Sequence, residues 1–371
     1  MQDIVSQING YVWSYWLVGL CLGAGLMFSL LTRFLQVRHF RHMIELLFSS
    51  KESDRGISSF QALTVSLSGR VGTGNIAGVA AAIGFGGPGA VFWMWVVAFF
   101  GAATAYVEAA LGQIYKEEDE GQLRGGPAFY IEKAMGQRWY AWAFAIATIL
   151  ATGLLLPTVQ ANAISTSAEI AFGTNGSLTT ALGTISYTKL GAAIVVVIIF
   201  GFIIFGGVKR IAHVTQVVVP FMALGYIVIA VGIVLWNVSE LPRIVGMILG
   251  DAFTPMAGLG AAIGWGVKRG VYSNEAGQGT APHAAAAAEV QHPAQQGLVQ
   301  AFSVYVDTLF VCSATAFMIL ITGAYNVRDE GTGSIIFPSE LVTAATDPNS
   351  PAFTQAALEY VWPSIGATFV A

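Results

Sequence analysis

Eight stretches of this chain, each long enough to cross a bilayer as a helix, carry few or no charges, and this pattern dictates the solvent the chain folds in. A hydrocarbon core about 30 Å thick takes roughly 20 apolar residues in helical form. The segments run over 12–34, 58–84, 90–114, 139–168, 187–208, 212–237, 254–289 and 296–323, and a ninth apolar stretch begins near Phe353. Of 371 residues, 55% are hydrophobic and only 10% are charged, whereas soluble domains hold about 25% charged residues. The 17 Lys and Arg and 21 Asp and Glu cannot form the charged shell that a soluble core of this size needs. The chain reads as an all-α integral membrane protein whose surroundings are the lipid bilayer.

Cytoplasmic loops are enriched in Lys and Arg, which sets an orientation. The loop after the first span holds Arg33, Arg38, Arg41, Lys51 and Arg55, and alternation puts Lys116, Arg124, Lys133, Arg138, Lys209 and Arg210 on the same side. Lys189, Arg243 and Arg328 fall opposite. The expected topology is multi-pass in a cell membrane of the bacterial cytoplasmic type, with the N-terminus outside. The net charge of −4 is spread thinly, and no basic run points to nucleic acid. Cys21 and Cys312 read as small core hydrophobes without metal spacing. The first span lacks a positive leading segment, so it reads as a span and not a cleaved signal. The chain stops at Ala371 in an apolar stretch, the pattern of a fragment or short form of a longer protein.

Two spans do not look like ordinary membrane helices. The second contains Ser68-Gly69-Arg70-Val71-Gly72-Thr73-Gly74-Asn75-Ile76-Ala77-Gly78. The seventh contains Gly264-Trp265-Gly266-Val267-Lys268-Arg269-Gly270, then Ser273-Asn274-Glu275-Ala276-Gly277-Gln278-Gly279. Glycine costs a helix about 1 kcal/mol relative to alanine. Clustered with polar neighbours at bilayer depth, it invites the backbone to unwind, which lipid permits only where the segment is buried in protein or lines a wet cavity. Freed carbonyls can ligate Na⁺, and a half-helix N-terminus offers amides to a carboxylate. The competing reading is close helix packing through small residues. Interleaved polar residues favour unwinding around Asn75 and around Trp265. Gly72-Thr73-Gly74 followed by Gly78 is not a dinucleotide fingerprint, because the spacing is wrong and no strand precedes it.

Gly86-Gly87-Pro88-Gly89-Ala90-Val91-Phe92-Trp93-Met94-Trp95, continuing to Gly101, resembles the signature of the alanine/glycine:cation symporters, also called sodium:alanine symporters. The runs 72–78 and 273–277 look like that family's two discontinuous helices. The resemblance covers essentially the whole chain. It implies a leucine-transporter-type fold, with two inverted five-helix repeats and one extra N-terminal helix. Residues 1–56 would hold the extra helix and a cytoplasmic loop, and 57–238 the first repeat. Residues 239–371 would begin the second repeat, which is incomplete here. The run 71–75 also resembles the break of the neurotransmitter:sodium symporters, where main chain and Asn hold the substrate carboxylate and sodium.

On that plan Thr73, Gly74 and Asn75 would contact the substrate carboxylate and sodium, and Ser68 and Val71 would offer sodium a hydroxyl or carbonyls. Gln160, an amide inside an uncharged span, suits a substrate or an unwound carbonyl. Trp265 between Gly264 and Gly266 would wall the pocket and limit side-chain size, since one methylene is worth only about 1–3 kcal/mol by attraction alone. Arg70, Glu108, Glu275 and Asp307 are ionisable groups in spans, where such groups usually face protein or water. Arg70 with Glu275, or Arg70 with Asp307, would form a gate that breaks as the carrier opens inward. The expected activity is symport of a small neutral amino acid, alanine or glycine, with Na⁺ as coupling ion and no other cofactor. A proton-coupled carrier using Glu108 or Asp307 is the alternative. No nucleophile has an adjacent base, so an enzyme finds no support.

Overall fold

Span two begins where Ser58 caps it: Gln61 N–H donates to Ser58 Oγ at 3.2 Å, and Ser58 N–H donates to Gln61 Oε1 at 2.9 Å. This reciprocal pair satisfies two backbone groups that a helix start leaves open. The computed structural model describes residues 2–48, 56–180, 183–254 and 259–371, with the side chains of 2–6 and 259 outside the description. Lys51 and Arg55 of the expected positive loop lie outside the described residues, as do 255–258 at the start of the seventh span.

Among the described residues, six helices are long and apolar enough to cross a membrane: Gln7–Leu31, Ala90–Ile114, Arg138–Phe172, Tyr187–Ile204, Gly207–Trp236 and Pro293–Thr322. They are spans one, three, four, five, six and eight of the sequence reading. The remaining two are interrupted. Span two is built from Ser59–Arg70 and Gly74–Gly86, and span seven from Leu259–Asn274 and Ala281–Ala287. The ninth apolar stretch forms two short helices, Ala352–Val361 and Gly366–Val370. Three small antiparallel hairpins complete the described structure, pairing 117–119 with 122–124, 177–180 with 183–186, and 327–328 with 335–337.

Span three is the centre of the packing and touches spans one, seven and eight. Glycines permit the closest approaches. A Cβ on Gly266 would lie 2.5 Å from the Ala90 carbonyl, and one on Gly270 would lie 2.4 Å from Val97 Cγ1. Spans four and five lie at the edge, with their most apolar stretches exposed. The main apolar core gathers Ile83, Met94, Ile244, Ile248, Met318 and Phe353 between spans two, three and eight and the helices flanking them.

Ile57, Leu123, Lys209 and His283 border one cavity of about 430 Å³. The segments that follow spans one, three and five therefore share an end with the last part of span seven. That parity agrees with the alternation expected from the sequence.

Candidate functional site

The first break opens at Val71, whose φ of −76° and ψ of 101° are extended. In a continuous helix Gly72 and Thr73 would donate to the carbonyls of Ser68 and Gly69. Instead, Gly72 N–H donates to Asn75 Oδ1 at 2.8 Å and Thr73 N–H donates to Gln160 Oε1 at 3.1 Å. Two amide side chains thus hold the break open and release two carbonyls from the helix ladder. The chain re-enters helix through a wide π turn over Gly74–Gly78, a form that often accompanies functional sites.

Asn75 turns its other end into a buried polar hub. Its Nδ2 donates to Asp307 Oδ1 at 2.7 Å and contacts the Asp307 carbonyl, Ser273 Oγ and Cys312 Sγ, each at 3.2 Å. Ser273 Oγ lies 2.9 Å from Asp307 Oδ2, and Thr308 Oγ1 donates to the same oxygen at 2.8 Å. Asp307 is 0% exposed, Asn75 and Ser273 1% each. All these partners of the carboxylate are neutral, and Asp307 rides on a second π-helical stretch, Tyr305–Cys312. Asp307, expected at a gate, instead joins both broken spans to span eight. Cys312, expected as a plain core hydrophobe, is packed against the hub's polar atoms.

The second break falls at Glu275, with φ +55°, and runs through Gly277 and Gly279, with φ +88° and +79°. Glu108 of span three secures it: Gly277 N–H donates to Glu108 Oε1 at 2.6 Å, and Gly279 N–H donates to Oε2 at 3.0 Å. Thr280 Oγ1 donates to Glu275 Oε2 at 2.6 Å. The unwinding expected around Trp265 is absent. Gly264, Trp265 and Gly266 sit in unbroken helix, eight residues before Ser273, or about 12 Å along the axis. Gly266 serves close packing on span three. Trp265 stacks on Phe85 with ring centroids 4.5 Å apart and donates from Nε1 to Glu330 Oε2 at 2.8 Å.

Two other expectations change. Ser68 is exposed, and its hydroxyl bonds back to the Val65 carbonyl at 2.7 Å, so only its carbonyl remains a candidate ligand. Arg70 is buried, but its guanidinium donates to Ser303 Oγ and forms no ion pair with Glu275 or Asp307 among the described residues; Nε and Nη2 have no hydrogen-bond partner there. Gly74 is needed where it stands, since a Cβ would lie 3.1 Å from Ser273 Cα. Beside Thr73 lies a cavity of about 170 Å³, bordered also by Val159, Asn162, Thr166 and Tyr272. Sequence reasoning brought together Thr73, Gly74, Asn75 and Gln160. It placed Ser273 in the second discontinuous run without giving it a site role, and it missed Tyr272, an ordinary helical position until the fold brings it to the cavity.

A sequence profile described as "Sodium:alanine symporter family" matches residues 1–371. The protein named "Putative sodium/proton-dependent alanine carrier protein YrbD" of Bacillus subtilis (strain 168) is 55% identical over 375 residues, covering 100% of this chain and 74% of that protein. The "Sodium/proton-dependent alanine carrier protein" of Bacillus sp. (strain PS3) is 47% identical, over 89% of this chain and 71% of its own length. The "Probable sodium/glutamine symporter GlnT" of Bacillus subtilis (strain 168) is 44% identical, over 88% of this chain and 67% of its own length.

Proposed function

Because the chain belongs to the sodium:alanine symporter family, we propose that it carries a small neutral amino acid, alanine or glycine, across the cell membrane together with Na⁺. The protein is a multi-pass membrane transporter and not an enzyme. The observation that carries the reading is the buried Asp307 carboxylate bound to Asn75 from the first broken span and Ser273 from the second. A carboxylate in lipid-embedded protein is costly unless a charge or several donors meet it. Here neutral donors meet it, which leaves its charge for a transported cation. Na⁺ at this hub would draw on Asp307 and Ser273 Oγ, with the Ser68 and Val71 carbonyls and the Asn75 amide close by in the first break.

The amino acid then belongs one step along the same break. Thr73 N–H is bonded to Gln160 Oε1, and a substrate carboxylate taking that N–H would leave the Gln160 amide to bond the substrate in turn. The cavity beside Thr73 suits a small side chain. Two inverted repeats, 57–238 and 239–371, would each open on a broken span, and rocking of one bundle against the other would alternate access, with the N-terminus outside. Arg70 would take part in the gate by approaching Glu275 in another state of the cycle.

Radiolabelled alanine uptake into proteoliposomes tests this. Accumulation driven by an imposed Na⁺ gradient supports the reading, and equal uptake without the gradient sinks it. The names of two relatives carry both sodium and proton, which favours proton coupling through Asp307 as the second reading. Accumulation driven by a pH gradient with no Na⁺ present would select it.

A further inference from the structure

Three residues bordering one cavity each carry a buried polar atom with no hydrogen-bond partner among the described residues: Thr73 Oγ1, Tyr272 Oη and Arg269 Nε. The cavity lies between span four, the second half of span two and the strap 347–351. On the strap side, Arg269 Nη2 donates to Asn349 Oδ1 at 2.6 Å, and Asn349 Nδ2 donates to Asp347 Oδ1 at 3.2 Å. One carboxamide therefore bridges a guanidinium and a carboxylate. Its oxygen faces the cation and its NH₂ faces the anion, the polarity that the carboxylate and ammonium of an amino acid would present there. Charged partners make both hydrogen bonds stronger than an amide does.

We propose that Arg269 and Asp347 form a docking site for the zwitterionic head of an amino acid, with Asn349 as the built-in occupant that the substrate displaces. The site lies on the strap side of the same cavity, ahead of the Thr73–Gln160 position, and the inference rests on the amino-acid reading above. Asp347 and Asn349 are exposed, whereas Arg269 is largely covered, so the zwitterion meets the strap first and the guanidinium next. The unpartnered hydroxyls of Tyr272 and Thr73 continue the polar wall toward the break. Displacing Asn349 also frees the strap from Arg269, which ties occupancy to movement of the cover.

The Arg269 guanidinium lies 5.0 Å from the Trp265 ring, so the fluorescence of this indole reports on what reaches it. The probes are alanine, alaninamide, which lacks the carboxylate, and propionate, which lacks the ammonium. In purified full chain, alanine should change a signal that is lost in Trp265→Phe, at roughly tenfold or more lower concentration than either analogue. Arg269→Gln should erase the preference over alaninamide, and Asp347→Asn the preference over propionate. Asn349→Ala, on the exposed strap, should tighten alanine binding, with a melting curve to confirm that the variant folds. Unchanged selectivity in both charge variants, weaker binding in Asn349→Ala, or no response of the wild type to alanine, glycine or glutamine would overturn the proposal. The two readings fail separately. Selective binding without Na⁺-driven uptake removes the symport and keeps the docking site, and Na⁺-driven uptake with unaltered selectivity in the variants does the reverse.

Discussion

Asn75 and Asp307 are 232 positions apart in the chain and meet at 2.7 Å in a fully buried hub. The bond fixes the first broken span to the π-helical stretch of span eight, and Ser273 brings the second broken span to the same carboxylate. Asp307→Asn should therefore remove Na⁺ stimulation of uptake. It also puts an NH₂ group among three donors, and a buried donor without an acceptor costs about 1–3 kcal/mol of stability, so the melting temperature should fall as well. Uptake measured against external Na⁺ checks this, and an unaltered Na⁺ dependence would contradict it.

Gly74 and Gly72 separate two kinds of crowding. A Cβ at Gly74 meets the Ser273 backbone at 3.1 Å, and one at Gly72 meets the end of the Gln160 side chain at the same distance. Backbone cannot yield as a side-chain tip can, and overpacking costs about 1–3 kcal/mol. Gly74→Ala should lose most uptake and lower the melting temperature, whereas Gly72→Ala should retain stability and weaken substrate affinity through Gln160. Melting curves in detergent beside uptake kinetics distinguish the two.

Glu108 is the clamp of the second break. Glu108→Gln keeps one acceptor oxygen but points an NH₂ group at the Gly277 or Gly279 amide. The stranded amide should cost about 1–3 kcal/mol, so both thermal stability and uptake should fall. If uptake falls with no change in melting, Glu108 acts on the cargo and not as a clamp.

Asp329 gives the turn of the 327–337 hairpin a pH dependence of known sign. The Thr332 hydroxyl, and after it the Thr332 amide, hold its carboxyl below the usual carboxylate range. A depressed folded-state pKa means the turn's contribution is present above the ordinary carboxylate value and is lost as pH falls through the lowered one. The protection factor of the Thr332 amide, which corrects for the pH dependence of intrinsic exchange, should hold down to the ordinary value and be lost as pH falls through the lowered one. Asp329→Asn should exchange fast at neutral pH.

The membrane architecture was legible because apolar length is a one-dimensional property: six spans and the two interrupted ones fall where long, charge-poor stretches predict. The first break was legible for the same reason, since Gly72, Gly74 and Asn75 are local causes of unwinding. The second was legible in the run 273–277, but the unwinding also expected around Trp265, about ten residues earlier, is absent because glycine has two uses at bilayer depth. At Gly266 and Gly270 the absent side chain admits span three, and the helix continues. Only at Gly277 and Gly279, where Glu108 arrives from another span, does the backbone find acceptors outside its own ladder. The Asp307 hub and the strap depend on contacts across more than 200 positions or on loop geometry, which periodicity does not encode.

One carboxylate answering to both interrupted spans has a consequence for leakage. With separate anchors, either span could shift while the other stayed still, and ions could slip through without cargo. Because Asp307 binds Asn75 and Ser273 at once, a shift of either span alone in the proposed cycle would break a bond to the carboxylate, which would make partial strokes uphill.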